Sequence, residues 1–286
     1  MLKKIRFSLL TAILVLTMSA GLLTSCEEGG TIKIPYVDWA CAEAEAFLAQ
    51  EILTHMGYQV ELNSVSAGVM WESIATGDQD FITTAWLPYT HQSYWETHQD
   101  NVDRIGTLYE GAVLALVVPE YVTIDSITEL NDHKEEFGGR IVGIDPGAGI
   151  MEATKNTLMP HYGLDDWELI ESSDAAMKAE LDSYYNNEDW IVVTGWAPHW
   201  KFAAYDLKIL EDPDETLGGL EEIVIVARQG FRDDFPEVSS FLENWTLTAD
   251  QLGEIMYMIS VDGMAPAVAA RTWIDNNQDA VNSWLP

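Results

Sequence analysis

The sequence predicts a parallel-rich α/β protein of two lobes with a ligand cleft between them. Predicted strands and helices alternate through most of the chain, which is typical of strand–helix–strand units. The chain has 286 residues, more than one typical doubly wound domain needs. Its hydrophobic fraction of 48% is enough for a large core. Length and element order therefore both favour two lobes.

Local signals support the individual elements. Gly57, Gly77 and Gly163 are expected to end helices. Capping-box patterns at 126–129 and 248–251 are expected to begin them. The predicted strands are 31–37, 58–62, 81–85, one or two within 105–118, 140–144, 167–170, 190–194 and 223–227. The predicted helices are 40–56, 69–76, one after 126, 150–161, 175–185, 235–244, 249–259 and 266–284.

Two connections between the lobes are expected, because the C-terminal helices must return to the first lobe. One crossing is predicted at 118–120 and a second near 222–229. Residues 31–118 and 228–286 are therefore assigned to lobe I, and 119–227 to lobe II. A double crossing is the layout of a hinged binding protein, in which the ligand lies in the cleft.

The N-terminus has the pattern of a secretory signal peptide over residues 1–25. A basic start at 3–6 precedes an apolar run over 7–16, and small residues follow before Cys26. This arrangement predicts export and cleavage after residue 25. The apolar run is short for a membrane span, and an uncleaved N-terminal anchor is the alternative.

The Leu-Thr-Ser-Cys sequence that ends at Cys26 resembles the bacterial lipobox, in which the thiol is lipidated and becomes the new N-terminus. Residues 26–30 would then be a lipidated tether. The protein would be held at the outer face of the cell membrane or in the periplasm. Cys41 is left without a disulfide partner, and we interpret it as a small buried residue on a helix.

The composition is strongly acidic, with 47 acidic and 14 basic residues and a formal net charge of −33. Such a surface repels nucleic acid and anionic lipid headgroups, so neither is expected as a partner. High net charge also keeps a protein soluble in concentrated salt. The sequence therefore favours a salty habitat.

Three tryptophans, Trp39, Trp86 and Trp196, each fall just past a predicted strand. Open α/β sheets bind ligands outside the carboxyl ends of their strands. A single tryptophan is more often a packing residue, but three in equivalent positions favour an aromatic cage for a quaternary ammonium ion. Together, three indoles would contribute about 2–5 kcal/mol to binding such a cation.

A glycine turn before a predicted helix offers backbone N–H groups of Gly149 and Ile150 to an anion. An ordinary strand–helix connection is the alternative. His91 lies five residues after Trp86 and is placed to donate a further hydrogen bond, although an isolated histidine is often structural. A ligand that needs both the aromatic cage and these hydrogen-bond donors is a zwitterion with a methylated ammonium and a carboxylate.

An enzyme is the less favoured interpretation. The sequence has no G-x-S-x-G elbow, H-E-x-x-H helix, paired cysteines or nucleotide-binding glycine pattern. No nucleophile–base pair can be identified, and we expect no metal and no cofactor. An exported enzyme that acts on methylated amines is kept as the alternative from another class.

Three motifs resemble those of the glycine betaine-binding proteins of ABC-type compatible-solute importers. They are Ala-Trp-Leu-Pro-x-Thr-His at 85–91, Gly-Ile-Asp-Pro-Gly-x-Gly-Ile-Met at 143–151 and Thr-Gly-Trp-x-Pro-His-Trp at 194–200. The resemblance implies a type II-like periplasmic binding-protein fold. It also implies a cage of Trp39, Trp86 and Trp196, and carboxylate contacts from His91 and from the backbone of Gly149 and Ile150.

The resemblance further implies a monomer that delivers its ligand to a membrane permease driven by a separate ATPase. Within this class, the sequence does not rank glycine betaine firmly above proline betaine, carnitine or choline, because an indole cage accepts all such cations. Choline lacks a carboxylate and would leave His91 and the N–H pair unused.

We predict that Cys26 carries lipid and that the mature protein partitions to the membrane. The reason is the lipobox-like end of the signal peptide. Mass spectrometry of the natural N-terminus measures this directly. An unmodified terminus beyond Cys26 would contradict the prediction.

Overall fold

A computed structural model describes residues 29–286. The predicted signal peptide and Cys26 lie outside the described residues. Within the described range, no helix is both long enough and apolar enough to cross a bilayer. In chain order, its strands are β1 (Gly29–Tyr36), β2 (Tyr58–Ser64), β3 (Phe81–Leu87), β4 (Val102–Pro119), β5 (Arg140–Val142), β6 (Glu168–Ile170), β7 (Val193–Ala197), β8 (Leu207–Ile209) and β9 (Glu221–Arg228).

The helices fall into a group between the strands and a C-terminal group. Between the strands lie α1 (Ala40–His55), α2 (Ala67–Ala75), α3 (Gln92–His98), α4 (Gly149–Ala153), α5 (Met159–His161), α6 (Asp174–Asn187) and α7 (Lys201–Ala204). After β9 come α8 (Phe231–Asp234), α9 (Pro236–Asn244), α10 (Ala249–Ser260), α11 (Pro266–Asn276) and α12 (Gln278–Trp284). A π-helical turn, Thr154–Leu158, joins α4 to α5, and a 3₁₀ helix spans Ile127–His133.

The longest strand, β4, belongs to both halves of the molecule. The strand order is β3-β9-β4-β7-β5-β6, with β8 also paired to β4. Residues 102–112 of β4 pair with β9, and residues 113–119 pair with β7 and β8. We use "first half" for the elements around β1–β3 and β9, and "second half" for those around β5–β8. The expected lobe boundaries stay a prediction.

The sheet is mixed, whereas the sequence predicted a mainly parallel one. β1 and β2 form a separate two-stranded parallel sheet. In the seven-stranded sheet, pairing is parallel in β5–β6 and β5–β7, and antiparallel wherever β4 takes part and between β3 and β9. The difference arises because β4 and β9 run between the halves and join neighbours of opposite direction. Such long-range pairing leaves no local trace in the sequence.

Most predicted helix limits agree with the structure. Both predicted capping boxes form, with Ser126 and Thr248 as N-caps. Gly57 and Gly77 follow α1 and α2 with positive φ, which a glycine adopts without steric cost. The predicted helix 266–284 is instead two helices, α11 and α12, that meet at Asn277. Asparagine favours such helix ends because its side chain competes for backbone hydrogen bonds.

The apolar core forms two clusters. The larger fills the first half, where Trp71, Trp245 and Trp273 are fully buried, and it extends to the space between the halves. The smaller lies within the second half, around Leu116 and Phe137. Each fully buried large side chain stabilises the fold by roughly 1.5–3 kcal/mol. Because the larger cluster contains residues of both halves, apolar packing holds the two halves together.

One carboxyl group is buried in the larger core. Glu45 on α1 is fully buried, and among the described residues neither of its carboxyl oxygens has a hydrogen-bond partner. Burial raises the pKa of Glu45 well above its ordinary value. The nearby Thr83 and Thr84 hydroxyls lower this pKa, but by less than burial raises it. The carboxyl group is therefore stable in the fold chiefly in its neutral form.

We predict that Glu45→Met stabilises the protein increasingly as pH rises. The folded pKa of Glu45 lies above the unfolded one, so the wild type loses stability as pH increases from about 4.5 towards the folded pKa. Denaturant unfolding at pH 4.5 and 7.5 should show a larger gain at the higher pH. Glu51→Met on the same helix is the control, because it removes a carboxylate paired with Arg271. An equal gain at both pH values would contradict the prediction.

Candidate ligand-binding site

A buried, largely apolar cavity lies between the two halves. The ends of β3 and β7 and the N-terminal ends of α1 and α4 meet there. All six predicted site residues lie in its wall, which consists of Trp39, Cys41, Trp86, Thr90, His91, Leu114, Ile144, Ala148, Gly149, Ile150 and Trp196. Their role as ligand contacts stays a prediction.

Three indoles form much of the wall, and all are almost completely buried. Trp39 is the N-cap residue of α1. Trp86 and Trp196 are the last but one residues of β3 and β7, whereas the sequence placed them just past these strands. The strands extend further because Trp86 pairs with Ile223 of β9 and Trp196 with Leu114 of β4.

One indole is fixed by a contact across the halves. The Nε1–H of Trp39 donates to Oδ2 of Asp145 at 3.1 Å. The Nε1–H of Trp196 has no hydrogen-bond partner among the described residues, although it is buried. The orientation of Trp39 therefore depends on the second half being in place.

His91 has a defined tautomer. The ring Nδ1 accepts a hydrogen bond from the backbone N–H of Trp86 at 3.1 Å. The backbone N–H of His91 donates to the carbonyl of Trp86 at 2.9 Å. Burial lowers the pKa of His91 to about 3, so the ring is neutral at physiological pH. A neutral imidazole whose Nδ1 accepts carries its proton on Nε2. That N–H is buried and has no partner among residues 29–286.

The glycine turn supplies two further donors. Gly149 and Ile150 are the first residues of α4, and within the described chain no hydrogen bond is formed by either N–H. The helix dipole adds positive potential at this end. With Nε2–H of His91, the cavity wall offers three uncharged donors to an anion.

Close packing of the two halves seals the cavity. A Cβ on Gly149 would lie 2.0 Å from the carbonyl oxygen of Thr90, so only glycine fits there. Thr90 is held by the carboxylate of Glu221, which accepts from its N–H at 2.7 Å and also from its hydroxyl. Nearby, the hydroxyl of Tyr94 donates to the carbonyl of Gly147 at 2.9 Å.

Several structural partners were missed by the sequence analysis. Thr90 and Asp145 stand inside the quoted motifs, so their positions carried a signal that was not used. Asp174 is buried and accepts from the N–H of Ala40 at 3.1 Å, across the halves. No local pattern marks it. Cys41 is buried on α1 as predicted, and it also contributes to the cavity wall.

A sheet that passes through two halves, with a cavity between them, is the arrangement of a two-lobed solute-binding protein. Residues 30–276 match the family model described as the substrate binding domain of ABC-type glycine betaine transport systems. The chain belongs to this family. The predicted two-lobed periplasmic binding-protein fold is confirmed, and so is the expectation that the protein is a transport component and not an enzyme.

Three known proteins show the extent of the similarity. The glycine betaine/carnitine transport binding protein GbuC of Listeria monocytogenes is 39% identical over 178 residues, which cover 60% of this chain and 59% of GbuC. The match thus spans less than two thirds of that relative. Lactococcal OpuAC, in its closed conformation with glycine betaine, is 33% identical with a TM-score of 0.85, covering 90% of this chain and all of OpuAC. A choline-binding protein of an ABC transporter, in complex with choline, is 27% identical with a TM-score of 0.83. The match covers 90% of this chain and 92% of that protein.

We predict that Gly149→Ala weakens ligand binding by at least tenfold. The added methyl group collides with the backbone of Thr90, so the halves cannot reach this closed arrangement. Calorimetric titration measures the affinity, and thermal unfolding without ligand checks that the fold is intact.

Gly147→Ala is the matched control in the same turn. There, a Cβ would meet nothing nearer than the Tyr94 hydroxyl at 3.8 Å, an ordinary contact. Equal affinities for the two variants would show that close approach at Gly149 is unnecessary for binding.

Proposed function

We propose that the protein is an exported solute-binding lipoprotein that captures glycine betaine or a related betaine and delivers it to an ABC permease for osmoprotective uptake. One observation carries the proposal: the cavity combines three buried indoles, Trp39, Trp86 and Trp196, with three uncharged donors that have no partner among residues 29–286. The indoles suit a methylated ammonium, and the donors suit a carboxylate.

The cationic end of the ligand is matched by aromatic faces. A methylated ammonium cannot donate hydrogen bonds, so it needs no carboxylate from the protein, and the cavity wall has none. Each indole contributes roughly 0.5–2 kcal/mol when the cation is desolvated. Aromatic faces also select against sodium and potassium, which are better hydrated.

The anionic end is matched by His91 Nε2–H and the N–H groups of Gly149 and Ile150. These donors leave the protein part of the site uncharged, which suits a ligand with no net charge. A buried donor without a partner costs about 1–3 kcal/mol. Pairing all three with one carboxylate removes that cost and makes the closed form more stable with ligand than without it.

The two halves would act as lobes of a hinged protein. Trp39, Trp86 and His91 belong to the first half, and the α4 N-terminus and Trp196 to the second. Ligand contacts with both halves favour the closed state. We propose that β4 and β9 connect the lobes, that the closed monomer is recognised by the permease, and that a separate ATPase drives transport.

Choline is the second candidate ligand, together with carnitine and proline betaine. The solved choline-binding protein with the same fold supports its consideration. Choline would occupy the indoles but leave the three donors without a carboxylate. The donors therefore favour a betaine.

The test is calorimetric titration of the protein without its signal peptide, using glycine betaine, proline betaine, carnitine and choline. We expect the betaines to bind more tightly than choline. Binding of choline alone, or of none of the four, would overturn the proposal.

We predict that Trp86→Ala and Trp196→Ala each weaken betaine binding by at least tenfold, because each removes one face of the cage. Trp190→Ala serves as the control, since that indole packs on Phe137 away from the cavity. Thermal unfolding shows whether each variant is folded. Wild-type affinity in either cage variant would rule out that residue as a cage member.

A further inference from the structure

A buried lysine lies behind one wall of the cavity. Lys201, the first residue of α7, is fully buried, and its Nζ lies 5.0 Å from the ring centroid of Trp196. Trp196 lines the cavity and Lys201 does not. The indole therefore separates the lysine ammonium from the ligand space.

The local sequence makes room for this side chain. Gly195 precedes Trp196 in β7, and a Cβ there would lie 2.7 Å from Nζ of Lys201 and 2.5 Å from Cγ2 of Val117. The N–H of Lys201 donates to Nδ1 of His199 at 3.0 Å, which holds the start of α7. Gly195 thus leaves room for the Lys201 ammonium to pack against the Trp196 ring.

Little neutralises the ammonium directly. Its hydrogen bond goes to the carbonyl of Thr194 at 3.4 Å. In the described part of the chain, no carboxylate oxygen lies within ion-pair distance of Nζ; the nearby Asp174 is paired with Lys178 instead, at 3.1 Å. The charge of Lys201 can therefore act on the cavity beyond the indole.

The charged and titratable groups around Lys201 come from three elements. Asp174 and Cys41 raise its pKa, Lys178 lowers it, and burial lowers it most, to about 8. His199 is neutral, because burial and the two lysines lower its pKa well below the ordinary value. Burial raises the pKa of the Cys41 thiol, which is also neutral. Lys201 is thus charged at pH 7 and uncharged above about pH 9.

We propose that Lys201 is a specificity-determining residue that disfavours net cations such as choline and leaves zwitterions such as betaine nearly unaffected. The inference rests on the proposed function. A choline ammonium on the opposite face of Trp196 would be repelled by the buried lysine. In a betaine, attraction between the lysine and the ligand carboxylate offsets that repulsion.

The expected effect is large enough to measure. Two unit charges about 10 Å apart at an effective dielectric constant of about 20 repel enough to weaken binding roughly tenfold. For a zwitterion, attraction between Lys201 and the ligand carboxylate opposes this repulsion, so the binding affinity changes by less than about threefold. Lys201 would therefore change the ratio of the two affinities more than the affinity for betaine.

The first experiment is titration of Lys201→Met and the wild type with choline and glycine betaine at pH 7. We expect choline to bind roughly tenfold more tightly to the variant and betaine to change by less than about threefold. Lys155→Met is the control, because it also removes one positive charge, but its ammonium is exposed and pairs with Glu171 at 3.5 Å, outside the cavity wall. The same change in selectivity in both variants would overturn the proposal.

A second experiment needs no variant and decides the question even if Lys201→Met does not fold. Between pH 7 and 9, wild-type affinity for choline should rise as Lys201 loses its proton, and betaine affinity should stay flat. Choline binding near pH 8 should also release protons, which calorimetry in buffers of different ionisation enthalpy detects.

Two failures are distinguishable. A wild type that binds both ligands with parallel pH profiles overturns the role of Lys201 and leaves the proposed function intact. A wild type that binds neither ligand overturns both.

Discussion

Exclusion of water from the space between the two halves is the constraint on which the site depends. A cation–π contact is strongest when the cation is desolvated, and an unpaired N–H is costly only where water cannot reach it. The same burial keeps His91 neutral and leaves its Nε2–H as a donor. The approach of Gly149 to the carbonyl of Thr90, too close for any Cβ, seals this space. One missing side chain is therefore as important to the site as the aromatic rings.

The architecture explains how such a space can form from two cores. Strand β4 pairs with β9 in the first half and with β7 in the second, so one backbone segment fixes the relative positions of Trp86 and Trp196. Trp86 is carried by β3 through its pairing with β9, and Trp196 is carried by β7. Hydrogen bonds across the halves, from Trp39 to Asp145 and from Ala40 to Asp174, complete the closed arrangement. Rotation about the shared strands would break these side-chain contacts and open the part of the larger core between the halves, whereas the smaller core would stay intact.

Charge is distributed very differently on the surface and around the cavity. The chain carries a formal net charge of −33, yet the described residues that line the cavity include no carboxylate and no cationic side chain. Lys201 is buried behind Trp196, and burial lowers the pKa of its ammonium to about 8. Burial of such a group costs stability, and the role we propose for Lys201 is to act on the ligand. A strongly acidic protein can in this way present an uncharged site to a zwitterion.

The sequence by itself determined most helix limits, both capping boxes and six of the eleven residues that line the cavity, because caps, glycine stops and motifs are local patterns of neighbouring residues. Helix α3 escaped prediction because it has no buried residue and so no apolar period. The mixed sheet, the sharing of β4, the tautomer of His91 and the position of Lys201 behind Trp196 were decided by the tertiary structure. The mixed sheet and the sharing of β4 join residues far apart in the chain, whereas the tautomer of His91 and the position of Lys201 depend on burial. Packing of the two halves supplies both, and no spacing along the sequence encodes them.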